Sequence, residues 1–325
     1  MDLVLRVLCH DGDMWQPPGA WEPVRRVGPG TAGLWRVPGC PGVVVKRLVR
    51  PLTHEEAVSD PGALAWWRRE ADVALSGASS ACEAFVGPEV LDVQEDGEGV
   101  SIFFAEVGPG PVELGEVARA AGALAVSEHP VVPSAVRDQF GQRLAAVERR
   151  GGWAGLVGSP VEGIAAAVWN NRDAFRRVLA RAPQGPAHGD LTRANVLRSS
   201  VRGVVAVDWD MYGRAPVGSD LGHWALAVGR DAGELVADFL AGLAGAKGQV
   251  PGVRTDAVEV LAVARTVALF TALARADWAA ERSGAAGQLP DLWEQPGLAQ
   301  HLRAVQQAEG ALEVLAGGTS SPSHG

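Results

Sequence analysis

From residue 113 to residue 316 the sequence keeps a helical rhythm, with apolar side chains returning every three or four positions, except across one island from Pro186 to Ser219. There Ala187-His188-Gly189-Asp190-Leu191-Thr192-Arg193-Ala194-Asn195-Val196-Leu197 leads into Val204-Val205-Ala206-Val207-Asp208-Trp209-Asp210. Asp190 and Asn195 stand five apart on one loop, and Asp208 ends a β-branched apolar run that reads as a strand. A fold that accepts this island must carry a loop and a short strand through a helical body and bring their oxygen-bearing side chains to one place.

The half before residue 106 follows a different period. Gly28-Pro29-Gly30-Thr31-Ala32-Gly33 has the G-x-G-x-x-G spacing shared by dinucleotide-binding turns and by kinase phosphate loops. No helix pattern opens after Gly33. Leu34 to Val37, a turn-rich Pro38 to Gly42 and Val43 to Lys46 instead form a hairpin pattern, which favours a loop folded over phosphates. Pro61 to Ser76 carries Leu64, Trp67, Ala71 and Ala74 at helical spacing, with Glu70 on the inward side. Glu89 to Val93 and Ser101 to Glu106 flank the acidic turn Glu95 to Gly99 as a second hairpin. Val107 to Pro111 breaks both periods and marks the boundary between a nucleotide-binding segment, 1–106, and a helical segment, 107–316. Helices are expected at 113–126, 134–150, 161–182, 220–245, 255–284 and 297–316, with 317–325 a flexible tail and Leu3 to Leu8 a first strand.

The chain has 325 residues and a formal charge of -9, which disfavours nucleic acid or an anionic membrane as partner. No apolar run reaches the length needed to span a bilayer, and MDLVLRVLCHDGDMW lacks the basic start of a secretory signal. Cys9, Cys40 and Cys82 are too scattered for a disulfide framework or a metal site, so a reducing cytoplasm is expected. Lysine occurs only at Lys46 and Lys247 in a chain that otherwise uses arginine, so Lys46 at the end of a strand calls for a specific role.

Phosphoryl transfer from ATP needs a carboxylate to orient the attacking hydroxyl, and a carboxamide plus a carboxylate to hold Mg2+ against the phosphates. Asp190, Asn195 and Asp208 supply that set. Here the sequence resembles the superfamily of aminoglycoside phosphotransferases and choline kinases, over residues 24 to 300. HGDLTRANVL is similar to its catalytic loop, and AVDWD with the later Asp220-Leu221 to its metal-binding segment. The resemblance implies an α+β, two-lobed, protein-kinase-like fold with a small antiparallel-sheet lobe and a larger helical lobe. It also implies Asp190 as catalytic base, Asn195 and Asp208 as Mg2+ ligands, and Gly28, Gly30 and Gly33 over the phosphates. Lys46 would contact the α- and β-phosphates, Glu70 would pair with Lys46, and Glu106-Val107 would offer backbone groups to adenine. Glu55 or Glu56 is the alternative partner of Lys46. His188 is expected to pack and hydrogen-bond, Asp220 to bond the catalytic-loop backbone or cap the following helix, and Asp210 to touch either metal or structure. Thr192-Arg193-Ala194 and Ala215 depart from the family pattern.

These expectations describe an ATP- and Mg2+-dependent kinase acting on the hydroxyl of a small molecule. A peptide Ser/Thr kinase and an inactive nucleotide-binding module are the competing readings. Only 11 residues separate Asp208 from Asp220, too few for a peptide platform. From residue 215 onward 12 acidic residues face 7 basic ones, which favours a cationic, aminoglycoside-like acceptor, with Asp277 and Glu281 as its first candidate contacts.

Overall fold

Val43 to Val49 is apolar or β-branched at all but Lys46 and Arg47, the composition of a strand with a neighbour on each side. The computed structural model describes residues 17, 21–25, 31–52, 54–108, 110–199, 201–246, 255–284 and 296–308. Within them β1 (Glu22–Arg25), β2 (Thr31–Arg36), β3 (Val43–Val49), β4 (Val90–Glu95) and β5 (Gly99–Ala105) form an antiparallel sheet in the order β1-β2-β3-β5-β4. The central β3 is set by the registers Leu34↔Lys46 and Lys46↔Ile102, as the two hairpin patterns require. Leu48, Val100 and Ile102 bury one face of this sheet against Ala71, with Trp67 and Phe104 at the margin.

Two small antiparallel pairs follow, β6 (Gln184–Ala187) with β9 (Gly213–Pro216), and β7 (Val196–Ser199) with β8 (Gly203–Ala206). They hold the two sides of the island that interrupts the helices. The helices are α1 (Glu55–Ser59), α2 (Arg69–Ser76), α3 (Leu114–Val126), α4 (Gln139–Arg149), α5 (Glu162–Asn170), α6 (Arg172–Arg181), α7 (Ser219–Val228), α8 (Val236–Gly245), α9 (Ala257–Ser283) and α10 (Pro296–Ala308). One core joins α3, α7, α8 and the β7–β8 pair around Leu124, Leu221, Trp224 and Phe239; a second joins α4, α5, α6, α9 and α10 around Phe175, Leu269 and Leu273. At the α3–α8 crossing a Cβ on Gly122 would fall 2.1 Å from the Phe239 carbonyl, and one on Gly242 would fall 1.9 Å from that of Arg119. The two backbones meet where side chains are missing.

Several expected helices are shorter or divided. The expected helix over 61–76 begins only at Arg69, because the carbonyls of Pro61, Ala63 and Leu64 are taken by the Arg69 guanidinium instead of helical amides. The expected helix over 134–150 starts at Gln139, where the Asp138 side chain accepts from Gly141 N–H. The span 161–182 divides at Asn171, and 220–245 divides at Gly229, whose φ of 67° ends α7. A capping box from Asp231 to Glu234 then restarts the chain toward α8. Among the described residues one helix, α9, is long and apolar enough to cross a membrane, with a mean hydropathy of 1.8 over its best window, contrary to the sequence expectation. It is the central helix of the helical lobe, burying Val260, Val263, Leu269, Leu273 and Ala276 against its neighbours. Leu3 to Leu8, residues 309–316 of the last expected helix and the tail 317–325 lie outside the described residues.

Burial of His129, whose ring lies against Tyr212 with centroids 5.9 Å apart, pulls its pKa down to about 4. The unfolded chain therefore binds more protons than the folded one below about pH 6.5, so stability is fully present above that pH and is lost as the pH falls toward about 4. A His129→Phe variant is expected to recover on the order of 1 kcal/mol of the loss between neutral pH and about pH 5, read from urea midpoints. An unchanged pH dependence would assign the loss to other groups.

Candidate active site

Lys46 lies on β3, where strand alternation turns it toward α2, and its ammonium donates to Glu70 and to Asp208. Lys46 is 8% exposed and Glu70 4%. Burial alone would pull the Lys46 ammonium down, but the Asp208 and Glu70 carboxylates outweigh it and hold it above its usual range. Burial raises the Glu70 carboxyl despite its bond to Lys46. Glu55 and Glu56, the alternative partners, are exposed on α1.

The helix carrying Glu70 is tied to the other lobe by its neighbour Arg69, which is fully buried. Its guanidinium donates to the Ser134 and Asp210 carbonyls of the helical lobe as well as to Pro61, Ala63 and Leu64. With burial as the main cause, its pKa is pushed down to about 10. The sequence reading missed Arg69, since hydropathy places arginine outside; the signal was the spacing, one residue before an inward glutamate. The Asp210 side chain is exposed, so its carbonyl is the group engaged here.

In the island, β6 delivers the chain to His188 and Gly189. The Asp220 carboxylate accepts both of their N–H groups at 2.8 and 2.9 Å, as expected, while the cap position of α7 is Gly218. Burial pushes the Asp220 carboxyl up, and these backbone bonds counter it. Gly189 has φ of 85°, and a Cβ there would lie 2.5 Å from the Met211 carbonyl, so glycine is required before Asp190. His188 Nε2 donates to the Val207 carbonyl at 3.0 Å, which leaves Nδ1 to accept from Asp190 N–H. His188 is buried between Phe85 and Trp209 and serves the loop as a strut.

Asn195 Nδ2 donates to the Asp190 carbonyl at 3.0 Å, and its Oδ1 has no hydrogen bond among the described residues. Val207 N–H donates to the Asn195 carbonyl at 2.9 Å, which sets Asn195 beside the turn of Asp208. Asp208 has φ of 70°, the one positive value outside glycine among the described residues. Such a conformation costs on the order of 1 kcal/mol and aims the carboxylate at Lys46. A carboxylate and an amide on neighbouring turns are a donor set that suits Mg2+, which takes a few protein oxygens and completes its octahedron with phosphates and water. The Asp190 carboxylate accepts from Arg275 of α9 at 2.9 Å, and Arg143 of α4 donates to the Gly189 carbonyl at 2.9 Å. Neither arginine was legible as a site residue, because both stand in ordinary helical periods.

Gly28 and Gly30 lie outside the described residues, and Gly33 lies in β2, where a Cβ would meet the Trp35 ring at 2.3 Å. Glu106 follows β5, but its N–H already donates to the Gly42 carbonyl at 2.7 Å and its carboxylate accepts from Arg36 in an ion pair. Its carbonyl and Val107 are what remain of the expected adenine contacts. Asp277 and Glu281 do not line a cleft: Asp277 is fully buried, accepts Gly155 N–H and pairs with Arg150, which also holds Glu281. Asp231, Glu234 and Asp238 are likewise paired with Arg265, Arg230 and Arg119, so five of the twelve acidic residues counted there are held in local ion pairs.

Residues 105–255, which include the His188–Asn195 loop and the Asp208 turn, match the phosphotransferase enzyme family. A search of curated proteins finds no match to the chain. Among solved structures, a choline/ethanolamine kinase family protein from Mesorhizobium loti is similar at 16% identity and TM-score 0.54, over 89% of this chain and 92% of that one. A microcompartment-associated aminopropanol kinase is similar at 15% identity and TM-score 0.56, over 92% and 93%. The AMP-bound spectinomycin phosphotransferase is similar at 13% identity and TM-score 0.53, over 93% and 94%. At these identities the likeness carries the fold: an α+β, two-lobed, protein-kinase-like architecture. The family match covers residues 105–255, just under half of the chain, so the chain is similar to the phosphotransferase enzyme family over that span and shares the fold of these kinases.

Proposed function

We propose that the protein transfers the γ-phosphate of ATP to a hydroxyl of a small molecule, with residues 1–106 and 107–316 as the two lobes that enclose the nucleotide. The observation that carries this reading is the convergence of Lys46, Glu70 and Asp208 from three separate elements on one ion-paired cluster. Asp190 accepts the proton of the attacking hydroxyl as the new oxygen–phosphorus bond forms and the bond to the β-phosphate oxygen breaks, releasing ADP. Asn195 and Asp208 hold Mg2+, which when bound neutralises charge on the phosphates. Lys46 has a third N–H for the α- and β-phosphates, and Glu70 fixes its ammonium in place. Gly28, Gly30 and Gly33 cover the phosphates, and the Glu106 carbonyl with Val107 receives adenine.

The Asp208–Asp220 connection folds into one short turn and β9, paired with β6, a compactness that favours a small acceptor over a peptide. The intact set of Lys46, Asp190, Asn195 and Asp208 speaks against an inactive module. Cys40 and Cys82 are both free, in keeping with the proposed cytoplasmic setting. Names such as choline, aminopropanol and spectinomycin among the neighbours make an amine-bearing acceptor one option. Binding of the nucleotide is tested by melting the protein with MgATP and with NAD: MgATP is expected to raise the melting temperature and NAD to leave it unchanged. Protection by NAD alone would overturn the reading.

A further inference from the structure

The helix α9 runs through the helical lobe with Leu273 and Ala276 fully buried, and Asp277 fixes its place by accepting Gly155 N–H at 2.8 Å and pairing with Arg150. Arg275 stands among these anchors. Its side chain is 29% exposed, and its Nη2 donates to Asp190 Oδ1 at 2.9 Å, joining a core helix to the loop of the proposed base.

The other bonds that hold this loop reach its backbone. Asp220 accepts from the amides of His188 and Gly189, Arg143 donates to the Gly189 carbonyl, and Asn195 donates to the Asp190 carbonyl. Asp190 N–H is taken by His188 Nδ1. None of these contacts touches the Asp190 carboxylate, which would remain able to turn about its side-chain bonds. Among the described residues its one hydrogen-bond partner is Arg275, and Oδ2 has none. The pair is partly open to solvent, with the Asp190 side chain 17% exposed, and an ion pair so placed adds little to stability. Its contribution is to the direction of the carboxylate.

We infer that Arg275 is a positioning residue for phosphoryl transfer: it holds Asp190 Oδ1 and leaves Oδ2 as the oxygen that meets the acceptor hydroxyl. The inference rests on the kinase reading of the site. Phosphoryl transfer passes through a loose transition state that asks little covalent chemistry of the protein and much placement, and a displacement of about 1 Å can cost about 10²-fold in rate. As the hydroxyl oxygen bonds to the γ-phosphorus and the bond to the β-phosphate oxygen breaks, the hydroxyl proton passes to Oδ2 while Arg275 stays on Oδ1.

Water can stand in for the acceptor hydroxyl, so ADP release from MgATP is followed with water alone, with glycerol and with ethanolamine. In Arg275→Met the kcat is expected to fall about 10- to 100-fold, with the KM for MgATP within about twofold of the parent. The melting temperature should stay within about 3 °C of the parent, and MgATP should still raise it. Arg275→Lys keeps a cation able to make the single N–H bond to Oδ1 and is expected to turn over at least about threefold faster than Arg275→Met. Turnover of Arg275→Met within about twofold of the parent, a loss accompanied by a larger fall in melting temperature, or no gain from lysine overturns the inference and leaves the kinase reading standing. ADP release by the parent no faster than by Asp190→Asn strikes the kinase reading itself.

Discussion

Asp190→Asn is expected to lower turnover by about 10²- to 10⁴-fold while leaving MgATP binding nearly unchanged, the scale for loss of a positioned general base. Asp190 stands on a loop clamped from three sides: Asp220 holds the two preceding amides, Asn195 holds its carbonyl, and Arg275 holds its carboxylate. An asparagine keeps the size and the loop contacts and loses the charge that Arg275 neutralises and the basicity that takes the proton. Melting protection by MgATP, set by residues of both lobes, should survive. Turnover within about threefold of the parent on a confirmed acceptor would remove Asp190 from the chemistry.

Lys46→Met carries the second large effect and divides into two measurements. Removing a donor aimed at phosphate charge typically costs about 10²- to 10³-fold in turnover. The same change leaves Glu70 buried without its counter-charge, and breaking a buried pair costs about 3–5 kcal/mol of stability. A neutral Glu70 tolerates burial better than a charged one. The folded variant then binds more protons than the unfolded chain, so the stability deficit should shrink as the pH falls. A deficit that is the same at neutral and acidic pH would show that Glu70 is not the group left stranded.

The N-terminal sheet was legible because its signals are local. The β-branched run ending at Lys46 and the turn residues from Pro38 to Gly42 are short-range features, and the register Leu34↔Lys46 follows from them. Glu70 was legible through its helical spacing from Trp67, although the helix itself starts later than that spacing implied. What local pattern could not reveal are contacts made by long side chains across the chain. Arg69 ties together five carbonyls from both lobes, and its own demand for those carbonyls unwinds residues 61–68. Arg275 joins Asp190 from 85 residues away. The count of acidic residues did not pick out acceptor contacts for the same reason. Net charge does not say which carboxylates are tied up, and Asp277 and Glu281 are held by Arg150.

The most direct test of the account follows the phosphate itself. The protein is incubated with MgATP and a panel of hydroxyl compounds, amine-bearing and neutral, and the products are read by mass spectrometry together with the ADP released. The account predicts a phosphate monoester formed in step with ADP, abolished by chelating the metal and reduced at least about 10²-fold in Asp190→Asn. ADP release without any ester, or an ester formed at the parent rate by Asp190→Asn, would contradict it.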